Sequence, residues 1–287
     1  MKGNLINWLP VLWMTITSLS GFSQALSHDA SGGRAGAMGN ATVAFSDFWS
    51  VHNNQAGLSR IESITAGINY QNRFLVKELG HNAAGFVLPT KTGVFGASMQ
   101  YFGYSLFNET KIGLAYARSF GEKFSTGIQL DYFSRHIAEG YGNASAFTFE
   151  LGIQTLVSEG VILGVHVFNP VQSGYSGIDS DQIPTVFTLG ILYEITDEVL
   201  IMVESEKDLD YKPLLRSGLE YRLVEQVCFR LGFSTLPSRE GESGFSAANL
   251  FTFGFGYEWN NLVTDLSASI HQTLGWSPGI SLYYKFG

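Results

Sequence analysis

Four side chains near the end of the chain are of the types used in nucleophilic catalysis. Asp265 and His271 share one face of a predicted strand, and Ser267 and Ser269 lie between them on that face. An aspartate, a histidine and a serine that converge in space form the triad of serine hydrolases. Serines that share a strand face are also ordinary lining residues of a β-barrel. We interpret this row as structural and predict that the protein is not an enzyme.

The sequence carries no pattern typical of a metal or cofactor site. The six histidines are scattered, without a His-x-x-x-His pair or a His/Cys cluster. The single cysteine, Cys228, rules out an intramolecular disulfide and is predicted to point inward as a small filler residue. Gly254 and Gly256 lie within a predicted strand that no helix follows, so they do not form a phosphate loop. A formal net charge of −8 excludes a basic surface for nucleic acid.

The stretch from Leu250 to Phe286 contains three segments in which two kinds of side chain alternate strictly. In the first segment the aromatic residues are Phe251, Phe253, Phe255, Tyr257 and Trp259. A period of two places each set on one face of a strand. Aromatic rows on one face, with glycine, serine, threonine and single charges on the other, are typical of a transmembrane barrel whose apolar face contacts lipid. A soluble β-sandwich is the alternative.

The alternation continues from Ile61 onward and predicts an all-β membrane protein, a 14-stranded antiparallel transmembrane β-barrel. The predicted strands cover residues 61–71, 80–88, 93–102, 110–119, 123–135, 144–154, 159–168, 184–194, 197–205, 213–223, 226–235, 249–259, 261–271 and 278–286. Connections after even-numbered strands are short, whereas those after odd-numbered strands, such as 103–109 and 136–143, are longer. Bacterial outer-membrane barrels place short turns in the periplasm and longer loops outside.

Positions that the alternation turns inward carry charges of both signs. The predicted lumen charges are Glu150, Glu204, Arg216, Glu220, Arg222, Arg230, Glu258 and Asp265. Ion pairs across the lumen would close a barrel rather than form an ion-selective ring. Inward glycines, which leave space for an inserted segment, are Gly152, Gly164, Gly190, Gly218, Gly232, Gly254 and Gly256. The glycine- and alanine-rich stretch from Gly32 to Ile61 is the natural occupant of that space.

The chain divides into three predicted regions. Residues 1–25 are predicted to be a secretory signal peptide, because Lys2 precedes a short apolar stretch and Ser23 and Ala25 frame a cleavage site. That stretch is too short to make a good transmembrane helix. Residues 26–60 are predicted to plug the lumen, and residues 61–287 to form the barrel. The expected localisation is the bacterial outer membrane.

The stretch GGRAGAMGNATVAF, then Asp47 and NNQAGLSRI, resembles the N-terminal signature of the FadL-like outer-membrane superfamily. Within it, the chain is most similar to the PorV/PorQ-like barrels of Bacteroidota, as is its C-terminal run from FGFGYEW to SLYYKF. The plug motif is carried by Gly33, Arg34, Met38, Gly39, Asp47, Asn54, Gly57 and Leu58. The resemblance implies fourteen strands with the N-terminal segment lodged in the lumen.

The sequence departs from that resemblance at two positions. Gln55 stands where the family usually has proline, so we expect a looser turn at residues 54–57. Phe286 is the penultimate residue, whereas the family's final aromatic residue is the last one.

The resemblance implies two kinds of function. PorV/PorQ-like members act as accessory barrels in type-IX secretion, and FadL members take up hydrophobic compounds. We expect first a non-enzymatic accessory subunit of a larger outer-membrane secretion or assembly complex, without cofactors. The alternatives are a FadL-like transporter of hydrophobic small molecules and a sealed structural subunit. Partner contacts are expected in the two longest loops, 169–183 and 236–248, with Tyr175 and Phe245 as apolar contact residues.

Overall fold

Fourteen antiparallel strands form a closed ring in the computed structural model, which describes residues 30–138, 142–176, 182–236 and 249–287. Each strand pairs with its neighbours in sequence, and the last strand pairs with the first. The strands are β1 (Ile64–Asn72), β2 (Gly80–Pro89), β3 (Val94–Tyr104), β4 (Phe107–Phe120), β5 (Phe124–Ile137), β6 (Gly142–Ser158), β7 (Val161–Phe168), β8 (Val186–Glu194), β9 (Val199–Asp208), β10 (Leu214–Val224), β11 (Val227–Thr235), β12 (Asn249–Trp259), β13 (Leu262–His271) and β14 (Gly275–Phe286). The predicted 14-stranded antiparallel barrel is confirmed.

Side chains alternate between the lumen and the outer surface, because successive Cβ atoms of a strand point to opposite faces. On β12, Phe251 and Phe253 are exposed outside the barrel, whereas Thr252 is buried inside it. Trp259 and Trp276 are exposed near opposite ends of the outer surface, where the aromatic residues of membrane barrels lie. Within the described residues, no helix combines the length and the apolar character needed to cross a bilayer.

The two ends of the barrel differ in their connections, and two loop predictions are wrong. At the end that carries the β2–β3 and β4–β5 connections, here called the turn end, all connections are short as predicted. At the opposite, loop end, β3 and β4 continue to Tyr104 and Phe107, so a two-residue turn replaces the loop expected at residues 103–109. This pairing requires glycine at position 103. A side chain there would clash with the Phe107 carbonyl oxygen, and the φ of 104° is one that residues with side chains rarely adopt. Likewise, β5 and β6 extend into the loop expected at residues 136–143.

Residues 30–60, here called the N-terminal segment, lie inside the ring. They contain helix α1 (Gly33–Ala37), helix α2 (Ser50–Asn53) and a 3-10 helix (Gln55–Arg60). Helix α1 contacts β11 to β14, and the 3-10 helix contacts β3 to β6. The larger buried apolar clusters of the molecule form where this segment meets the inner wall. Whether the segment blocks solutes stays a prediction, and the predicted signal peptide lies outside the described residues.

Candidate functional site in the barrel lumen

The first half of the N-terminal segment, residues 31–47, is held to the wall by charged groups in addition to a buried apolar cluster with Leu192 and Met202. The Arg34 guanidinium donates two hydrogen bonds of 2.9 Å to the Glu220 carboxylate of β10, and one of 3.2 Å to Asp47 within the segment. Glu220 also pairs with Arg230 at 2.6 Å, and Arg230 pairs with Asp265 at 2.6 Å. Bidentate pairs between arginine and carboxylate combine strength with a fixed geometry. The three lumen charges Glu220, Arg230 and Asp265 therefore form a chain of ion pairs that ends at Arg34 of the plug motif.

A second carboxylate binds the backbone of the same half. The amides of Thr42 and Val43 donate to one oxygen of Glu204, over 2.7 and 2.8 Å. The other Glu204 oxygen accepts from Arg216 at 3.0 Å, and Arg216 also pairs with Glu206 at 2.6 Å. Adjacent amides that would otherwise be buried without partners are satisfied in this way. Glu204 and Arg216 thus fix the path of the segment after α1.

Close backbone approach explains the glycines of the plug motif. The Gly33 amide donates to the Ser281 hydroxyl at 2.9 Å, and the Gly39 amide donates to the Thr252 hydroxyl at 2.8 Å. Gly39 has a φ of 68°, and a side chain there would come within 2.6 Å of the Phe233 carbonyl oxygen. Only glycine combines this backbone conformation with this contact.

The second half, residues 48–60, is held mainly by apolar packing. Phe48, Trp49, Val51 and Leu58 are buried against inward residues of β2, β3 and β4. His52 stacks on Trp49 with 5.8 Å between ring centroids. Burial, and to a lesser extent the charge of Lys111, lowers the pKa of His52 to about 3, so this ring is neutral while the segment is docked.

Glycines of the inner wall lie directly against the segment. A side chain at Gly164, for example, would overlap the Val43 backbone, and one at Gly232 would overlap the backbone of Met38 and Gly39. The predicted inward glycines that face the segment in this way are Gly152, Gly164, Gly190, Gly218, Gly232 and Gly254. Gly256 instead lies against Cys228 and Arg230, away from the segment.

Side-chain hydrogen bonds of Asn54 and Gln55 hold the turn at residues 54–57. The Asn54 side chain caps the 3-10 helix by accepting from the Ala56 amide at 3.2 Å. Gln55 is fully buried and donates from Nε2 to the Glu150 carboxylate at 2.7 Å. The expectation of a looser turn stays a prediction, and the bond from Gln55 to the wall is one that a proline side chain could not make.

A buried charge cluster surrounds Glu150. Lys111 donates to one Glu150 oxygen, and His166 Nε2 lies 3.0 Å from the other. Asp131 lies 3.7 Å from Lys111 and accepts from Gln129 at 2.9 Å. Lys111 was missed in the sequence, although Glu109 and Lys111 share the inward face of β4. The strand predicted at residues 110–119 already contains Lys111, and the alternation places it on the same face as Ala115 and Ala117.

The segment separates two polar cavities of the lumen. Charged residues that line the loop-side cavity include Lys111, Glu150 and Glu204. The predicted lumen charges Arg222 and Glu258 line the turn-side cavity together with those around Arg34. Glu258 pairs there with Lys285 at 2.6 Å. Apolar side chains, among them Val43, Phe168 and Val186, also line the loop-side cavity.

Aromatic side chains cluster at the loop end. Phe133 and Phe168 are buried with their ring centroids 6.0 Å apart, and Tyr175 packs edge-on against Phe133 at 6.5 Å. The Arg135 guanidinium lies 4.2 Å from the Tyr175 ring centroid. Tyr175 therefore packs into the mouth of the barrel. Its predicted role in partner binding stays a prediction, as does that of Phe245, which lies outside the described residues.

The residues that suggested a hydrolase do not converge. The Asp265 carboxylate is engaged by Arg230 and Ser281. His271 Nδ1 accepts from the amides of Thr273 and Leu274, each at 3.1 Å, and so caps the β13–β14 turn. Nor do the described residues contain a group of three or more His, Cys, Asp or Glu side chains able to hold a metal ion.

Comparison with known proteins finds similarity in structure but not in sequence. No protein-family profile matches the chain, and a search of curated proteins finds no match. Among solved structures, the monoaromatic hydrocarbon channel CymD has a TM-score of 0.72 at 13% identity, over 92% of this chain and 99% of its own. The toluene transporter TbuX of Ralstonia pickettii has a TM-score of 0.67 at 14% identity, over 91% and 99%.

A FadL homologue of Pseudomonas aeruginosa gives a TM-score of 0.60 at 12% identity, over 91% of this chain and 98% of its own. At such low identity the likeness establishes the fold and nothing finer. The chain therefore has the FadL-like fold of a closed 14-stranded barrel.

Proposed function

We propose that the protein is a bacterial outer-membrane barrel that transports small hydrophobic molecules, and that the N-terminal segment controls passage through its lumen. The observation that carries this proposal is the fold shared, over about nine-tenths of the chain, with barrels described as hydrocarbon channels and toluene transporters. The N-terminal segment lies between the loop-side and turn-side cavities, so a molecule that crosses the lumen must pass it.

The apolar outer surface supports a location in the outer membrane. Large apolar side chains are exposed on strand after strand, as on β12 and β14, and such a surface is stable only in lipid. Only export can bring a chain to that membrane, so residues 1–25 are proposed to act as its signal peptide.

The loop-end aromatic cluster is the proposed entry point for cargo. Phe133 and Phe168 are buried there together with Ile183 and Val186, and the half-buried Tyr175 packs against them. Small aromatic hydrocarbons bind such surfaces by burying their own apolar area. Monoaromatic hydrocarbons are therefore the cargo class to test first.

Uptake by whole cells tests this proposal. Cells that lack other channels for hydrophobic compounds should take up radiolabelled toluene faster when they express the protein. Phe133→Ala should lower that rate, because it removes the centre of the cluster. Phe120→Ala, which removes an exposed ring from the outer surface, should leave it unchanged. Uptake equal to that of cells without the protein, at matched amounts of folded barrel, would contradict the proposal.

An accessory role in a larger outer-membrane secretion or assembly complex, of the type-IX kind, is the second candidate. The charged residues that line both cavities favour it, because they interrupt any apolar path for a cargo. Mild solubilisation of native outer membranes provides the test. A stoichiometric large partner that co-purifies with the barrel would support it. Migration of the barrel alone would favour the transporter or a sealed structural subunit.

A further inference from the structure

Gln55 links the N-terminal segment to the charge cluster around Glu150. Its side chain is fully buried, and its Nε2 donates over 2.7 Å to a Glu150 oxygen. A proline at this position would have no side-chain donor, so the bond depends on the amide group of Gln55.

The carboxylate of Glu150 is held in place by residues of the barrel wall alone. Lys111 binds one of its oxygens, and His166 lies 3.0 Å from the other. Both partners belong to strands, so Glu150 keeps its position whether or not the segment is docked. A hydrogen bond to such a buried charged group contributes more than a neutral one.

The second half of the segment has few other polar contacts with the wall. Asn54 Nδ2 lies 3.3 Å from the Val165 carbonyl oxygen, and the Ser59 hydroxyl accepts from Ser119 over 3.0 Å at an exposed site. Among the hydrogen bonds of the described residues, Gln55 makes the one that joins this half to a charged side chain of the wall. Apolar packing, which is not directional, supplies the remainder.

The loop-side cavity borders this bond. Glu150 and Lys111 line it from the wall, and His52 and Asn53 line it from the segment. If the second half leaves the wall, the space that opens is continuous with this cavity.

We propose that the Gln55–Glu150 hydrogen bond is a latch that sets how often the second half of the N-terminal segment leaves the wall and opens the lumen. This inference rests on the proposed control of the lumen by the segment, and it adds the position of the moving part. Gln55 is a positioning residue in this scheme and does not contact cargo.

Conductance of the full-length protein in planar bilayers tests the latch. Gln55→Leu keeps the apolar bulk of the side chain but removes the donor. We expect the fraction of time in the open state to rise about ten- to a hundredfold, the effect of losing one bond to a charged acceptor. Ser59→Ala, on the same 3-10 helix, removes an exposed bond and should change nothing. An unchanged open fraction in Gln55→Leu, or an equal rise in Ser59→Ala, would overturn the latch.

Exchanging the side chains of Gln55 and Glu150 tests whether the hydrogen bond between them, rather than packing at this position, keeps the lumen closed. In Gln55→Glu two carboxylates face each other, so the pore should open at neutral pH and close on acidification, when they share a proton. The double variant Gln55→Glu with Glu150→Gln restores a donor opposite an acceptor and should return to the closed state. A double variant as open as Gln55→Glu would refute the pairing.

These readouts are independent of cargo. Absence of toluene uptake in every variant would overturn the transport proposal, while the conductance series would still decide the latch. All variants must show the heat-modifiable migration of a folded barrel, so that a change in conductance is not a failure to fold.

Discussion

The two halves of the N-terminal segment differ in how many charged groups hold them in the lumen. Both halves bury apolar side chains against the wall, but residues 31–47 also bind through Arg34, the amides of Thr42 and Val43, and carboxylates of β9 and β10. Residues 48–60 bind through buried apolar side chains and one bond to a charged group. Directional charge contacts fix a single position, whereas apolar packing tolerates small shifts. The first half is therefore the anchor of the segment, and the second half is the part suited to move.

The largest effect is expected from Arg34→Met, which breaks the anchor. It leaves Asp47 and part of the Glu220 carboxylate unpaired in a buried site, which costs about 3–5 kcal/mol of docking free energy. Amides of residues 31–47 should then exchange hydrogen much faster, as measured by mass spectrometry on the detergent-solubilised barrel. Arg60→Met, at an exposed position of the 3-10 helix, is the matched control. If both variants exchange alike, charge does not hold the first half.

An intermediate effect on docking is expected when glycines of the wall are replaced by alanine. The effect should be larger at glycines that face the first half of the segment than at those that face the second half. Gly232→Ala would place a methyl group against the backbone of Met38 and Gly39, which cannot yield, at a cost of about 1–3 kcal/mol. Gly96→Ala meets side-chain atoms of Val51 and Leu58 at 2.8 and 3.1 Å, which can rotate away. Gly232→Ala should lose more protection in hydrogen exchange than Gly96→Ala. The reverse order would contradict a rigid first half and an adaptable second half.

The smallest effect concerns acid pH and the second half. The pKa of His52 is about 3 when the segment is docked and near 6.5 when the ring is exposed to water. Between pH 3 and pH 6.5, His52 therefore binds a proton in the released segment but not in the docked one. Docking is strongest above pH 6.5 and weakens as the pH falls, by about tenfold at pH 5.5. The His52→Phe variant keeps an aromatic ring that cannot bind a proton. The ratio of the wild-type to the His52→Phe hydrogen-exchange rate at residues 50–53 should therefore rise as the pH falls from 7.5 to 5.5. A constant ratio would show that His52 stays neutral on release.

Alternation predicted the strands of the barrel, because a period of two places successive side chains on opposite faces of a strand. It did not predict which charges meet. Arg34 and Glu220 are 186 positions apart, and their contact depends on strand stagger and on the depth of the segment, neither of which alternation encodes. The loop predicted at residues 103–109 failed for a related reason: Gly103 permits strand pairing where composition indicated a turn.

The contacts of Gly33 have a consequence for assembly. Its amide binds Ser281 of β14, and it packs against Asp265 of β13, so one of the first described residues meets the final two strands. The N-terminal segment thus contacts β14, the strand that closes the ring by pairing with β1. The N-terminal segment therefore gains its full set of contacts only when the final two strands have joined the ring, so closure of the barrel stabilises the docked segment.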